Sequence, residues 1–452
     1  MRNFVFIFAL LSCWQGNGLL AQEDKTTLSL AEAFNYAKEH DLTLANARMN
    51  IDDAEEQIIE SRAIGLPKLD GSVKYQHFFE VPTSVLPEAF DEIVKAGNNG
   101  MLPEGYTRQA QFALRNNFDM GLNLNSLIVD GSYLKALKAA RVYRDYVGQE
   151  LITEERKLYN KVREAYLPPL IVQESMKMLD KNITNLEKML DETQKTYDAG
   201  FVEQLDVDRL ELSLANLRTE RKNLSRQLQL TLNFLEFTIG FPQDEELVIS
   251  DNIESLLQEA TGEELTEAPN YYNRPEYKLA EMGIQLNEIN VDVIKAGYLP
   301  SLNGFASYSY SYQGNQLFHE DGFWFPTALV GVQLNVPIFD GFEKKAKAQR
   351  ARLQLAMARN QKRMLEQAID LEVTNARESY LNAKDQVASQ DKNVALAERI
   401  FSTTQIKYRE GVGSSIEVTQ AEQSLYQAQQ NRIQALYDLL NAKAQLDEAL
   451  GN

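Results

Sequence analysis

The chain has 452 residues, of which 44% are hydrophobic and 25% charged, a composition that is typical of folded domains and excludes wholesale disorder. Its 65 acidic and 46 basic residues give a net charge of −19, and such a surface repels nucleic acid and acidic lipid. We therefore expect no nucleic-acid partner. The excess of carboxylates indicates either a solvated acidic surface or an acidic pore lining.

Residues 1–21 have the pattern of a secretory signal peptide. Arg2 precedes a short apolar run from Phe4 to Leu11, and cleavage is expected near Ala21. Cys13 is the single cysteine, and it is either a lipid-acylation site or an inert residue of the leader. The mature chain is thus predicted to be exported, without an internal disulfide bond.

Residues 22–240 are predicted to form a first structural repeat. Alternating strand patterns and helix-period patterns follow one another in it, and Ser29 or Thr27 is the expected cap of the first helix. In chain order we predict a helix at 28–64, a strand at 68–79, an exposed loop at 81–106, a strand at 107–129, a long helix from 132 to a turn at Gly200, and a helix at 205–239.

An acidic connector at residues 241–273 separates this repeat from a second one at residues 274–452. The connector is predicted to contain a short strand at 246–250 and a short helix at 253–259. The second repeat is predicted to contain a helix at 274–296, strands at 305–312 and 327–339, a long helix up to a turn at Gly411, and a last helix that continues to the end of the sequence.

Short motifs recur at matching places in the two repeats. Leu66–Gly71 is mirrored by Leu299–Gly304 before a strand, and Leu124–Gly131 is mirrored by Leu334–Gly341 before a long helix. Such self-similarity at a fixed spacing indicates an internal duplication.

The clearest repeated motif is a glycine turn between two long helices. Tyr197 and Gly200 in the first repeat match Tyr408 and Gly411 in the second, at an offset of 211 residues. Glycine tolerates the left-handed conformation that ends a helix, and Gly413 adds a second glycine to the later turn. Each turn is therefore predicted to be the tip of a helical hairpin.

The long helices carry apolar residues on alternating steps of three and four, which predicts a coiled-coil seam. From Gly131 and Gly341 to the two tips, each helix would reach about 100 Å. Pro168 and Pro169 lie inside the first of them, and prolines in a helix interior remove hydrogen bonds. We therefore predict a break or bend there, and unequal arms.

Each repeat brings two strands, so one chain supplies four, whereas the smallest closed membrane barrels have about eight. Closure would therefore require several chains. The last strand alternates apolar residues with Gln333 and Asn335, as a lipid-facing wall does, although a strand of a soluble sandwich alternates likewise. Tyr308, Tyr310 and Tyr312 could form an interfacial aromatic girdle.

The sequence offers no seat for catalysis and no cofactor site. The three histidines, His40, His77 and His319, have no paired spacing, and no phosphate-binding loop is present. Asp206 and Glu417 follow the two tips at matching places. They would form an acidic ring where hairpins converge, or they would only complement a helix dipole.

In these motifs, in this order and twice over, the chain resembles the TolC-type outer-membrane efflux channel family over essentially its whole mature length. The tips with Tyr-x-x-Gly and the sequence Arg274-Pro275-Glu276 contribute to the resemblance. It implies a homotrimer with a twelve-stranded barrel in outer-membrane lipid and an α-helical tunnel across the periplasm. The implied partners are a periplasmic adaptor and an inner-membrane pump, either a proton-driven RND or an ATP-driven ABC transporter.

The resemblance also implies a periplasmic gate. The family's aperture is narrowed by two aspartates one helical turn apart, which match Glu417 and the uncharged Gln420 here, so that a double acidic ring is in doubt. Adaptor docking is implied for Tyr197, Gly200, Tyr408 and Gly411, as residues that shape the turns. The implied function is a passive exit duct; the alternative is a coiled-coil spacer of the envelope that does not conduct.

Overall fold

The computed structural model describes residues 26–259 and 269–451. The predicted leader, including Cys13, lies outside the described residues. The elements in chain order are β1 (Thr26–Leu28), α1 (Leu30–His40), α2 (Leu42–Ala63), β2 (Lys68–His77), β3 (Thr83–Val85), α3 (Ala89–Gly97), β4 (Gln109–Gln111), β5 (Asn116–Val129), α4 (Gly131–Asp198), α5 (Gln204–Ile239), β6 (Leu247–Ile249), α6 (Ile253–Glu259), α7 (Pro275–Ala296), β7 (Ser301–Gly314), β8 (Phe323–Asn335), α8 (Glu343–Arg409) and α9 (Ser415–Leu450).

The described chain forms two compact units. The first comprises the described residues within 1–48, 150–277 and 364–452, and the second comprises residues 49–149 and 278–363. Each predicted repeat contributes to both units. No helix in the described part of the chain is long and apolar enough to span a membrane.

The second unit is built on a four-stranded antiparallel sheet in the order β2-β5-β7-β8. The two strands of each repeat are neighbours, and β5 joins the repeats by pairing with β7, with Leu124 opposite Ala306. Three of the four predicted strands are confirmed with shifted ends, whereas the strand predicted at 107–129 is divided into β4, which pairs with β3, and β5. β2 and β8 are the edges of this sheet, and Val330 of β8 is 84% exposed.

The tyrosines of β7 do not share one environment. Tyr308 is exposed, whereas Tyr312 is fully buried. The Tyr312 hydroxyl donates to the Gln316 carbonyl at 2.6 Å and accepts from the His319 amide at 2.9 Å, so that it anchors the turn after the strand. An aromatic girdle that includes Tyr312 is therefore wrong.

The segment after β2, predicted as an exposed loop, is folded. β3 pairs with β4, and α3 lies between them. The carboxylate of Asp91 is buried and accepts from Arg108 at 3.0 Å, with the Tyr106 hydroxyl at 3.3 Å. An ion pair that is partly shielded from water holds the insert together, and periodicity could not indicate it.

The predicted helix at 28–64 is two helices. Ser29 caps the first one in a capping box with Glu32, as predicted. Asp41 is extended and interrupts the run, and its carboxylate accepts from the Leu44 amide at 2.8 Å. Residues 26–28, part of which we predicted as helix, form β1, which pairs in parallel with β6, the strand predicted in the connector.

The helical arms are nearly equal in length, and α4 is unbroken at Pro168 and Pro169, so the predicted break is wrong; a bend there stays a prediction. α4 has 68 residues and includes both prolines, α8 has 67, and α5 and α9 have 36 each. Tyr166, Leu167 and Leu170 around the prolines are buried in the same core as Leu235 and Leu436. Burial of these large side chains offsets the hydrogen bonds that the prolines remove.

The predicted seams are the cores of the first unit. Val172, Leu179 and Leu186 of α4 pack against leucines of α5, and Ile369, Val373 and Tyr380 of α8 pack against α9. Arg274 adds a polar clamp, because its guanidinium donates to Glu372 at 3.0 Å and to the Ala449 carbonyl at 3.2 Å. This contact joins the start of α7 to α8 and to the end of α9.

Candidate functional site at the hairpin tips

The two tips share one backbone geometry. Gly200 and Gly411 have φ values of 82° and 75°, in the left-handed region. At the first tip the Gly200 amide donates to the Tyr197 carbonyl at 2.7 Å, and the Phe201 amide donates to the Thr196 carbonyl at 3.0 Å. At the second tip Gly411 donates to Tyr408 at 3.0 Å, and the next amide donates to Lys407 at 3.0 Å. Both are Schellman endings, which the glycines predicted.

Gly413 has a different role from the one predicted for it. Its φ is not positive, but a Cβ at this position would lie 3.1 Å from the Tyr408 nitrogen. A side chain would therefore press on the last turn of α8. Gly413 permits close approach of the backbone, and Gly411 alone supplies the left-handed residue of this tip.

The two hairpins are joined at their tips by charged contacts. The Arg409 guanidinium, at the end of α8, donates to both carboxylate oxygens of Glu192 on α4 at 2.8 and 3.3 Å. Both side chains are about half exposed, so water screens this pair. The pair connects the two hairpins but contributes little to stability.

A second contact between the hairpins involves a buried side chain. Ser415, fully buried in the first turn of α9, donates its hydroxyl to Asp206 of α5. Arg209 donates to the same hydroxyl at 3.1 Å and lies 3.9 Å from the Asp206 carboxylate. Asp206 therefore has partners on both hairpins, and its negative charge is partly balanced.

Glu417 occupies the same helical position as Asp206 but a different environment. Each is the third residue of its helix, α5 or α9, where a negative charge complements the dipole. The Glu417 side chain is exposed, and Gln420, one turn on, is exposed as well. Of the three predicted gate residues, Glu417 and Gln420 lie together on the α9 surface, whereas Asp206 is held in the contact between hairpins.

The two tip tyrosines differ as well. Tyr408 packs against the core between the hairpins, and its hydroxyl is buried without a hydrogen-bond partner among the described residues. Burial raises the pKa of this phenol. Tyr197 is half-buried and contributes its carbonyl to the turn.

Sequence reasoning missed a buried carboxyl between the hairpins. Glu422 of α9 is 6% exposed, and one of its oxygens accepts from the Ser213 hydroxyl of α5 at 2.9 Å. The other oxygen has no partner in the described chain. Burial raises the pKa of Glu422, against the opposing effect of the Ser213 hydrogen bond. In the sequence, Glu422 stands among helix-forming residues, as an exposed glutamate would. Nothing in the sequence therefore indicated that it is buried.

Apolar side chains project from both tips. Phe201 is 82% exposed and Val412, its counterpart after the second left-handed glycine, is 77% exposed. The two tips thus present one exposed apolar side chain each, at the same place in the turn. The duplication could have indicated this pair, since both residues directly follow the tip glycine.

The site has no visible catalytic chemistry. Within the described ranges, no group of three or more His, Cys, Asp or Glu side chains is arranged to hold a metal ion. His40 lies on α1, His77 on β2 and His319 in the turn that Tyr312 anchors.

Comparison with known proteins shows which sequences and structures this chain resembles. Residues 272–452 match the model of the outer membrane efflux protein family. The chain is 21% identical over 435 residues to outer membrane protein TolC of Vibrio cholerae, covering 94% of this chain and 90% of that protein. It is 27% identical over 326 residues to the pyoverdine export outer membrane protein OpmQ of Pseudomonas aeruginosa, covering 71% of this chain and 65% of that relative.

The fold is shared with a solved outer-membrane structure. A crystal structure of CusC, described in terms of transmembrane channel formation, superimposes with a TM-score of 0.71 at 17% identity, covering 94% of this chain and 92% of that one. These relatives are named for export and channel formation and not for an enzymatic activity. Residues 272–452 thus carry an outer membrane efflux protein domain, and over nearly its whole length the chain is similar to TolC-type outer-membrane proteins.

Proposed function

We propose that the chain is one protomer of a passive outer-membrane exit duct in a tripartite efflux or type I secretion system. The observation that carries this proposal is the four-stranded sheet with two unpaired edges. Unpaired edges favour pairing with other chains, and three copies would supply twelve strands, an even number within the range of known barrels. The exposed apolar residues of β8 would then face lipid.

In this proposal the hairpin tips form the periplasmic gate. The contacts between Arg409 and Glu192, and between Ser415 and Asp206, hold the two hairpins of one protomer together in the closed state. Glu417 from each protomer contributes to an acidic ring that favours cations. Because Gln420 is neutral and Asp206 is paired, the ring is single and its selectivity is mild.

An adaptor would open the gate, and an inner-membrane proton-driven or ATP-driven pump would supply the energy. Phe201 and Val412 offer the adaptor an apolar contact at each tip. Helical arms of unequal length would have favoured the alternative function, a spacer that does not conduct. The long helices α4 and α8 are nearly equal in length, so this support for the spacer is lost. Cargo would be chosen by the pump and adaptor, among drugs, metabolites, metal ions or secreted polypeptides.

The test is single-channel conductance of the purified oligomer in planar bilayers, with wild type compared to Glu417→Ala. We expect small, flickering, cation-favouring currents in wild type, and larger or less selective currents in the variant. Glu378→Ala is the control, because Glu378 is an exposed carboxylate of α8 away from the tip. Absence of current from correctly inserted protein would favour the spacer, and equal currents from wild type and Glu417→Ala would place the gate elsewhere.

A further inference from the structure

A cavity of about 470 Å³ lies in the first unit beside the C-terminal end of α5. Leu232 and Leu247 form apolar parts of its wall, and the loop between α5 and β6 adds Asp244, Glu245 and Glu246. Glu236 lines the cavity from the last turn of α5. The wall thus combines an apolar surface with four carboxylates.

Glu236 is the unusual member of this wall. It is 5% exposed, and its carboxyl group makes no hydrogen bond or ion pair with any described residue. Its backbone carbonyl accepts from Phe241 at 2.8 Å at the helix end. Burial raises the pKa of the carboxyl. Glu236 lines the cavity, so its carboxylate can be reached from that side by water or by a ligand.

Other groups near Glu236 also bear on whether a cation could bind in the cavity. The C-terminal end of a helix carries partial negative charge, and α5 has no basic residue in its last turn. None of the described residues that line the cavity is basic. The carboxylates of Glu236, Asp244 and Glu245 therefore favour a cation in this space.

We propose that the cavity binds an organic ammonium group, with Glu236 as its anion and with Leu232 and Leu247 against its alkyl chain. A compact ammonium has three donors, and these can hydrogen-bond to a carboxylate such as that of Glu236. The described carboxylates do not converge on a metal-ion geometry. The ammonium has two sources, a free polyamine or a lysine side chain of a second copy of this chain, and this site is independent of gating at the tips.

The first arm of the test is isothermal titration calorimetry of the full-length oligomer in detergent with spermidine, at constant ionic strength. We expect saturable binding to wild type, with one ligand per chain, and at least a tenfold weaker affinity in Glu236→Gln. Glu211→Gln is the matched control, since Glu211 is an exposed carboxylate near the N-terminal end of the same helix. Thermal unfolding of Glu236→Gln verifies that the variant folds.

The second arm detects a lysine from another copy. Mixed isotope-labelled and unlabelled chains are treated with a carbodiimide, which condenses a carboxyl and an adjacent amine to an amide, and the peptides are read by mass spectrometry. A peptide that joins Glu236 to a lysine of a differently labelled chain supports the second-copy source. The proposal is overturned if no such peptide forms and spermidine binds Glu236→Gln as it binds wild type, or binds neither.

Discussion

At the scale of single residues, duplication has preserved positions and changed chemistry. Asp206 and Glu417 occupy matched third positions of α5 and α9, but Arg209 follows Asp206 by one turn where the neutral Gln420 follows Glu417. The first carboxylate is therefore balanced by contacts to Arg209 and Ser415. The second is exposed, which leaves its charge available to the proposed gate.

Glu422 leads to a prediction about pH. Its pKa is raised in the folded state, so the protonated form favours folding, and stability falls as pH rises above the unfolded value of about 4.3 and through the folded value. Glu422→Gln removes this penalty. Between pH 5 and pH 8 we expect wild type to lose about 1–3 kcal/mol more unfolding free energy than Glu422→Gln does.

Urea unfolding at the two pH values measures this difference. Glu211→Gln serves as the control, because it changes the same charge on an exposed face of α5. The prediction fails if wild type and Glu422→Gln have the same pH slope. In that case the carboxyl would be ionised at no cost in the folded protein.

At the scale of elements, packing overrides local preference in α4. The helix continues through Pro168 and Pro169, although neither residue can donate a backbone hydrogen bond. The flanking side chains Tyr166 and Leu167 are buried, and the Tyr166 hydroxyl donates to the Leu28 carbonyl at 3.0 Å. Core contacts on both sides of the prolines therefore hold the helix in register with its partner.

Pro168→Ala should stabilise the protein, because it restores an amide donor and relieves the clash with the preceding turn. Pro168 is half-buried, so little packing is lost. We expect a gain of up to about 3 kcal/mol in unfolding free energy. Ser379→Ala, at the matching position of α8, is the control and should change stability by less than about 0.5 kcal/mol. A loss of stability in Pro168→Ala would mean that packing of the proline ring stabilises the protein by more than the strain and the lost hydrogen bond destabilise it.

At the scale of the whole molecule, the four-stranded sheet ends in two open edges. The outer edges of β2 and β8 have no partner strand in the described chain, and apolar residues of β8, such as Val330 and Val332, are exposed. In the proposed trimer, neighbouring chains cover the edges and lipid covers this apolar surface. The exposed surface of one chain is therefore a property of the isolated protomer.

Val330→Lys tests the lipid-facing side. A lysine near the middle of a membrane strand costs about 2–4 kcal/mol, so we expect less assembled oligomer in the outer-membrane fraction. Gln333→Lys, on the other face of β8, is the control and should assemble normally. The yield of folded, heat-modifiable oligomer measures both variants. Equal yields would contradict a lipid-facing role for Val330.

The sequence by itself determined the repeated motifs, the glycine tips, the four long helices and the approximate positions of the four strands of the main sheet. These features depend on periodicity and on glycine conformation, which are local properties of the chain. The tip glycines Gly200 and Gly411 were predictable for this reason, since few other residues adopt a positive φ. The four strands were predictable because alternation covers most of their length.

Only the tertiary structure decided which polar groups meet. Ser415 contacts Asp206, and Ser213 contacts Glu422, across 209 residues of sequence in each case. Asp91 and Arg108 fold the insert by the same kind of contact. Such pairs depend on how helices and strands are placed in space, and neither charge nor periodicity indicates them in advance. The continuity of α4 through its prolines was likewise decided by the buried core.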